Sequence, residues 1–330
     1  MAKQIVDSFG RIHTNLRISV TDRCNIRCFY CMPDENVRFL PKKQILSFEE
    51  ITRFVSVCAG MGVNKLRLTG GEPLIRSELP TLIEMLVRID GIQDVALTTN
   101  GLLLAEHAQS LKAAGLHRLN ISLDTVDAER FEQIARRKGL DKVLAGIERA
   151  KSVGFERIRL NAIAIKNLTE IEVVPLAKFA REHDLELRFI EFMPLDAEEN
   201  WNADQVLTGA RLKEIVEQEF GKLVVADRPD PSQPAVDFKF SDGAGRIGFI
   251  NPVSEPFCGS CNRLRLTAEG KVRNCLFSTS EWDAKDLLRT GDEKHIEALI
   301  QECVGAKKAA HGIDTDQFAR PVKAMYQIGG

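Results

Sequence analysis

The stretch LRISVTDRCNIRCFYCMPDE, residues 16 to 35, joins a short β-rich run to a loop that is dense in cysteine. Residues 16 to 20 have the apolar alternation of a strand. Cys24, Cys28 and Cys31 follow with the spacing C-x3-C-x2-C. Three thiolates suit a soft metal centre, but a structural zinc site needs four protein ligands. The stretch therefore predicts a strand that carries an incomplete metal site at its carboxyl end.

Beyond this stretch, β-rich runs alternate with helical patterns as far as about residue 193. Further strands are predicted over residues 65–69, 95–99, 118–123, 157–165 and 185–192. Six βα units of this kind indicate parallel strands with right-handed crossovers, either in a doubly wound sheet or in an incomplete barrel. Polar segments such as TGGEP and TTNG follow the carboxyl ends of these strands, and in a barrel those ends share one rim. We therefore predict an α/β fold with an incomplete six-stranded parallel (β/α)6 barrel.

A proline-rich segment marks the predicted domain boundary. Residues 227–235, DRPDPSQPA, contain three prolines, which neither a helix nor a central strand accommodates. We predict a first domain over residues 1–226 and a smaller C-terminal domain over residues 227–330. The second domain is predicted to contain a hairpin that turns at AEG, residues 268–270, and it contains a second trio of cysteines.

Charge and cysteine usage narrow the class of protein. The net charge of -2 gives no general attraction to nucleic acid or to an anionic membrane. No run approaches the roughly 18 to 20 apolar residues of a membrane span, and the first residues lack the pattern of a secretory signal. These features predict a cytoplasmic protein, whose eight cysteines are not expected to form disulfides. Cys58 and Cys303 lie in helical patterns and are predicted to be buried core residues.

The cysteine loop resembles that of the radical S-adenosylmethionine (SAM) enzymes, because its spacing matches and Tyr30 precedes the last cysteine. TGGEP, one βα unit later, strengthens the resemblance. It implies that Cys24, Cys28 and Cys31 hold a 4Fe-4S cluster whose open iron binds SAM. Glycines let a ligand approach the backbone, and a glutamate can accept hydrogen bonds from an ammonium. The residues implied around SAM are Tyr30, Gly70, Gly71, Glu72, Ser122 and Met193.

Residues 257–277, FCGSCNRLRLTAEGKVRNCLF, add a second trio spaced C-x2-C-x13-C. With the first motifs, this stretch resembles the GTP 3',8-cyclase family of molybdenum cofactor biosynthesis from about residue 11 to the last residue. The resemblance implies a second 4Fe-4S cluster on Cys258, Cys261 and Cys275 that holds the guanine of GTP. It also implies a radical that abstracts a ribose hydrogen, so that C3' attacks purine C8.

The same resemblance implies a set of residues for the substrate. A triphosphate needs guanidinium groups, which give bidentate and permanently charged contacts. The implied GTP-binding residues are Arg17, Arg67, Thr98, Arg159, Arg188, Arg263, Leu264 and Arg265. The implied catalytic residues are Arg17, Arg263, Arg265, Gly329 and Gly330. Arg159 departs from the family pattern, which usually has lysine at this position.

The resemblance also implies partners outside the chain. These are a low-potential electron donor and a cyclic pyranopterin monophosphate synthase that receives the product. No nucleic acid or membrane partner is expected, and the chain is expected to be a monomer or a homodimer.

Two alternatives remain open at the level of the sequence. One is another radical SAM enzyme with an auxiliary cluster, for instance a peptide-modifying one, but Arg263 and Arg265 suit a nucleoside triphosphate better than a neutral peptide. The other is a zinc-stabilised module that binds RNA or protein. An aromatic content of 6% and the near-zero net charge disfavour RNA binding.

Overall fold

The computed structural model describes residues 4–228, 230–290, 292–313, 315–316 and 318–329. Its strands, β1 to β12, are Asn15–Ser19, Lys65–Thr69, Asp94–Thr99, Arg118–Ser122, Ile158–Ala164, Glu186–Glu191, Leu223–Val225, Val236–Phe240, Arg246–Ile250, Arg263–Leu266, Lys271–Arg273 and Trp282–Asp283. Its α-helices, α1 to α10, are Phe48–Gly60, Leu79–Val87, Leu104–Ala113, Ala128–Ala135, Leu140–Ser152, Val173–Glu182, Gly209–Phe220, Lys285–Thr290, Glu293–Gly305 and Met325–Ile328. No helix in these ranges is both long and apolar enough to cross a lipid bilayer.

Strands β1 to β6 lie side by side in chain order, and each pair is parallel. At least one helix separates each strand of this array from the next. Parallel strands need such crossover connections, since a tight turn can join only antiparallel neighbours. The predicted α/β fold with six parallel βα units is confirmed.

The C-terminal residues extend this array at both of its edges. Strand β9 pairs in parallel with β6, and β10 pairs in parallel with β1, so eight parallel strands form the centre of a twelve-stranded sheet. The remaining strands add antiparallel partners on the outside, and the predicted hairpin is the pair β10 and β11. Edge strands carry unpaired N–H and C=O groups, and strands from residues 227–330 provide partners for them. A division into two domains at residue 227 remains a prediction.

Local signals in the sequence explain how α1 begins and where two of the cysteines lie. Ser47 Oγ accepts a hydrogen bond from Glu50 N, and the Glu50 carboxylate accepts one from Ser47 N, which is the reciprocal capping expected from SFEE. Cys58 in α1 and Cys303 in α9 are both fully buried in the main core. These two cysteines are core residues, as predicted.

Two glycines after β2 let the chain pack directly on the cysteine loop. Gly71 N donates to Thr21 O at 2.8 Å, and Glu72 N donates to Arg23 O at 2.7 Å. A Cβ atom at Gly71 would lie 2.3 Å from Arg23 O, and one at Gly70 would lie 2.5 Å from Thr21 O. These contacts leave no space for a side chain, so the glycines hold the two loops together at the rim of the sheet.

We predict that Gly71→Ala destabilises the protein and loosens the cysteine loop. Overpacking of this kind costs about 1–3 kcal/mol, and the backbone that is met here cannot rotate away as a side chain could. The variant should unfold at a lower temperature and incorporate less iron during anaerobic reconstitution.

Gly60→Ala is the matched control, because a Cβ atom at Gly60 meets nothing within 4 Å. The thermal midpoint and iron content of the two variants are compared with those of the unaltered chain. Equal values for Gly71→Ala and Gly60→Ala would show that the loop does not need this close approach.

Candidate active site

One cavity of about 300 Å³ lies against the inner face of the parallel strands. Each of the eight parallel strands contributes at least one side chain to its wall, because residues two apart on a strand project to the same face. These strand residues are Arg17, Arg67, Thr69, Thr98, Thr99, Asn120, Ser122, Asn161, Ile163, Arg188, Ile190, Ile250, Arg263 and Arg265. The cavity therefore lies where the positions of the polar motifs predicted a site.

The first cysteine trio lines this cavity from the loop that follows β1. The N–H groups of Cys31 and Met32 both donate to Cys28 O, at 2.9 and 3.0 Å, which makes the loop compact. Asn100 Nδ2 lies 3.7 Å from Cys24 Sγ. Burial raises the pKa of Cys24 to about 11 and that of Cys31 to about 12. These thiols are therefore protonated at neutral pH unless a cation compensates the thiolate charge.

The second trio lines the same cavity. Cys258 and Cys261 lie at the two ends of one helical turn, and Cys275 follows β11. Burial by itself would raise the pKa of Cys261, but the nearby Arg263 and Lys307 cations lower it to about 6. At neutral pH this thiol is largely a thiolate and is ready to bind a metal.

The donor chemistry of both trios fits iron-sulfur clusters. Thiolates are soft ligands, and each trio faces the cavity with three of them. Within the described residues there is no group of three or more His, Cys, Asp or Glu side chains that could hold a metal ion. In a 4Fe-4S cube each cysteine binds a different iron, so the three ligand sulfur atoms lie farther apart than the ligands of a single metal ion. With three cysteines, the fourth iron of each cube is free for an outside ligand.

Most of the residues implied for SAM line the cavity that the first trio also lines. Tyr30, Gly70, Gly71, Ser122 and Met193 all line the cavity. The Tyr30 hydroxyl donates to the Asp124 carboxylate at 2.5 Å, and Asp124 also accepts from Ile163 N at 2.7 Å. Asp124 lines the cavity as well, although it is not among the residues predicted for the site.

Glu72 is the exception among the residues implied for SAM. It is 1% exposed and is not among the residues that line the cavity. Its carboxylate accepts hydrogen bonds from Leu74 N at 3.0 Å, from the Thr99 hydroxyl at 2.7 Å and from Asn100 N at 2.7 Å. Burial raises its pKa to about 7. The side chain holds the loop after β3 in place, and the structure does not bring it to the wall of the cavity.

Arginines without carboxylate partners are concentrated on one side of the cavity. The strand register sets Arg17 beside Arg67 on β2 and beside Arg265 on β10. Arg263 lies on the same face, with its guanidinium 4.9 Å from the Phe257 ring centroid. None of these four arginines forms an ion pair with a described carboxylate. Burial and neighbouring arginines lower the pKa of Arg17 and Arg67 well below the usual value and that of Arg265 to about 9. Such a cluster favours an anionic ligand.

The remaining residues implied for GTP have different surroundings. Arg188 lines the cavity and donates to Asp237 at 2.8 Å, while the buried Thr98 hydroxyl has no hydrogen-bond partner in the described part of the chain. Arg159 forms an ion pair with Glu186 and is not among the lining residues. Leu264 alternates with the two arginines of β10, so its side chain is fully buried in the core instead of facing the cavity.

The last described residues reach this site. Met325 and Tyr326 of α10 line the cavity, and Arg265 donates to Gly329 O. Gly329 has a φ of 86°, and a Cβ atom there would lie 2.9 Å from side-chain atoms of Ser19 and Thr69. Only glycine fits this conformation and space. Gly330, the other residue of the predicted tail, lies outside the described residues.

Three residues of the site were missed by reasoning from the sequence. Asn100 and Asp124 fall within the strand-end motifs TTNG and SLD, so their place at the rim could have selected them. Lys307 donates to Cys261 Sγ at 3.4 Å. It stands in a short lysine pair after a helix, and this local sequence gives no signal for contact with a distant cysteine.

Comparison with known proteins agrees with the fold and with the cysteine loop. Residues 18–180 match the Radical SAM superfamily, and residues 185–313 match Molybdenum Cofactor Synthesis C. The structure of anSMEcpe with bound AdoMet covers 93% of this chain and 88% of its own, with 17% identity and a TM-score of 0.59. Streptococcus suis SuiB bound to precursor peptide SuiA covers 88% and 66%, with 15% identity and a TM-score of 0.63. The fold and the site therefore define a radical SAM enzyme.

Relatives along the whole chain narrow this class. The GTP 3',8-cyclase of Rhodopirellula baltica is 53% identical over 99% of this chain and 92% of its own length. Those of Pelotomaculum thermopropionicum and Mycolicibacterium smegmatis are 44% and 42% identical, over 98% and 99% of this chain and 99% and 92% of their own lengths. The chain belongs to the GTP 3',8-cyclase family. The predicted cofactors, SAM and 4Fe-4S clusters, are those of this family.

We predict that the two trios hold separate clusters of equal size. The anaerobically reconstituted chain should contain about eight iron and eight sulfide, four of each per cube. Replacing Cys24, Cys28 and Cys31 together with alanine should halve both values, as measured by iron and sulfide analysis.

Cys58→Ala is the control of the same residue type, since Cys58 lies in the core away from both trios. It should keep the full iron content. A triple variant with all of its iron, or a native chain that holds zinc instead, would contradict the two-cluster interpretation.

Proposed function

We propose that the protein is a GTP 3',8-cyclase, which converts GTP to (8S)-3',8-cyclo-7,8-dihydroguanosine 5'-triphosphate in the first step of molybdenum cofactor biosynthesis. The observation that carries this proposal is one cavity lined by two cysteine trios and by four arginines without carboxylate partners. Both sets of cluster ligands and the arginines therefore face one space, as a reaction between SAM and a triphosphate requires.

The first trio would hold the cluster that reduces SAM. When bound, this cluster and SAM supply the one-electron cleavage that starts the reaction on the ribose. The protein's part is to position SAM, through the glycines after β2 and through Tyr30, Ser122 and Met193 on the wall of the cavity. The hydrogen bond from Tyr30 to Asp124 fixes the orientation of the phenol ring. Tyr30 therefore contributes a rigid surface beside the cluster loop.

The second trio and the arginines would hold GTP. The open iron of the second cluster is free for the guanine base, and the arginines on β1, β2 and β10 can take the triphosphate. Arg265 donates to Gly329 O, which fixes the position of its guanidinium before substrate arrives. The Thr98 hydroxyl, which has no hydrogen-bond partner among the described residues, can bind a substrate oxygen.

The enzyme would also depend on partners outside the chain. The cleavage of each SAM molecule needs one electron, so the enzyme would require a low-potential electron donor. The product would pass to a cyclic pyranopterin monophosphate synthase. A cytoplasmic location fits the clustered cysteines, all of which are free thiols here. The protein would act as a monomer or as a homodimer.

The two alternatives are less well supported. The likeness to a peptide-modifying enzyme rests on structures about 15% identical and concerns the fold alone. The unpaired arginines beside the second trio favour an anionic substrate over a neutral peptide. A structural zinc site needs four protein ligands, and each trio offers three, so a zinc-stabilised module does not account for them.

The division of labour between the trios gives one prediction. Cys258→Ser should keep reductive cleavage of SAM and lose cyclisation, because it alters only the trio proposed to present guanine. An anaerobic assay with GTP, SAM and a reductant measures 5'-deoxyadenosine and the cyclised nucleotide in the same sample. Cyclised product at the rate of the unaltered enzyme would show that the second trio is not needed to present the base.

The arginines of β10 give another prediction. Each charge-assisted hydrogen bond to phosphate contributes roughly 1.5 to 3 kcal/mol, so Arg263→Ala or Arg265→Ala should weaken GTP binding by about one to two orders of magnitude. Binding of SAM should change little. Replacement by lysine should give an intermediate loss if bidentate geometry matters.

Anaerobic calorimetric titration of GTP and of SAM into each folded variant measures these effects. Arg289→Ala is the control, since Arg289 pairs with Glu50 on the surface. If both alanine variants of β10 bind GTP as tightly as this control does, the strand does not contact the triphosphate.

A further inference from the structure

Lys307 is a buried lysine beside the second cysteine trio. Only 5% of its surface is exposed, and it follows helix α9. Its ammonium donates to Cys261 Sγ at 3.4 Å and to Arg263 O at 3.0 Å. No carboxylate in the described part of the chain forms an ion pair with it. A buried ammonium is costly unless nearby negative charge compensates it. The thiolates of the second trio are the groups that can provide this charge.

The position of Lys307 is fixed by a contact with the N-terminal segment. The guanidinium of Arg11 donates to Lys308 O at 2.8 Å, to Ala309 O at 3.0 Å and to Cys258 O at 2.7 Å. Arg11 is itself held by Asp7, whose carboxylate accepts from Arg11 Nε at 2.6 Å. One side chain thus joins the segment after α9 to the turn that carries the second trio. The backbone that follows Lys307 is therefore tied to the turn that carries Cys258.

Lys307 is not among the residues that line the cavity, so any effect on the reaction must pass through Cys261. The reduction potential of an iron-sulfur cluster depends on its net charge and on hydrogen bonds to its sulfur atoms. A nearby ammonium that donates to a ligand sulfur contributes to both. It stabilises the reduced cluster, which carries more negative charge, and it draws electron density away from the ligand.

We propose that Lys307 is a positioning residue for the second cluster, which compensates the charge of the Cys261 thiolate and raises the reduction potential of that cluster. A less electron-rich ligand also leaves the cluster's open iron a better acceptor for an atom of the guanine base. This inference rests on the proposed function, because it requires a cluster on the second trio.

The test isolates the second cluster. In a background in which Cys24, Cys28 and Cys31 are alanine, only the second trio can hold iron. The midpoint potential is then measured by a redox titration that follows the EPR signal of the reduced cluster. Lys307→Met has a side chain of similar length without the charge or the donor. We expect its cluster to be reduced at a lower potential than that of the background protein.

Two further variants separate charge from general disturbance. Lys308→Met alters the adjacent exposed lysine and should leave the potential unchanged. Lys307→Arg keeps the positive charge and should keep the potential close to that of the background protein. If Lys307→Met loses its iron while Lys307→Arg retains it, this result supports the charge compensation in the proposal, because arginine keeps the positive charge and the N–H donors and methionine has neither.

The outcomes that would overturn the inference are distinct. An unchanged potential in Lys307→Met with a full cluster would show that Lys307 does not tune it. Equal shifts in Lys307→Met and Lys308→Met, or equal loss of iron in Lys307→Met and Lys307→Arg, would indicate a general disturbance of the loop. If the background protein binds no iron, the second trio holds no cluster, and both the proposed function and this inference are wrong.

Discussion

The parallel pairing of β1 with β10 determines where the rest of the site lies. Strand β1 leads directly into the first cysteine trio, and β10 begins two residues after Cys261 of the second. Because the two strands are parallel, the first trio lies at the carboxyl end of the pair and Cys261 at its amino end, and both trios line one cavity along these strands. The same register sets Arg17 beside Arg265. Any change that shifted β10 by one residue would turn its arginines into the core and Leu264 toward the cavity.

This arrangement keeps like charges close together. Like charges directly opposite each other in a sheet are destabilising. Burial first, and neighbouring arginines second, lower the pKa values of Arg17 and Arg265. The Cys261 thiolate beside Arg263 and Lys307 offsets part of the positive charge near the second trio. An anionic ligand would offset more. The folded protein is therefore expected to be more stable with its anionic ligand bound than without it, by the general coupling of binding to folding.

The sequence predicts those parts of the protein that depend on local pattern. Six strands, the capped start of α1, the hairpin at residue 268 and the cysteine spacing are all set by neighbours within a few residues. Pairing between distant strands is not, so the sequence did not predict that β9 and β10 would extend the barrel sheet. Lys307 was missed for the same reason, since its partner lies 46 positions away. The hydrogen bonds of Glu72 to the loop after β3 have no sequence signal either.

The two strands that complete the array at its edges have a consequence for biosynthesis. A ribosome makes β1 early, but β10, its partner on one side, is made only when most of the chain has been translated. Until then one edge of β1 is unpaired, and its cysteine loop lacks the wall that encloses it. Folding that waits for such distant contacts is slow and exposes edges that can aggregate. In a recombinant host, slower translation at low temperature and an early supply of iron and sulfide should therefore increase the yield of intact protein.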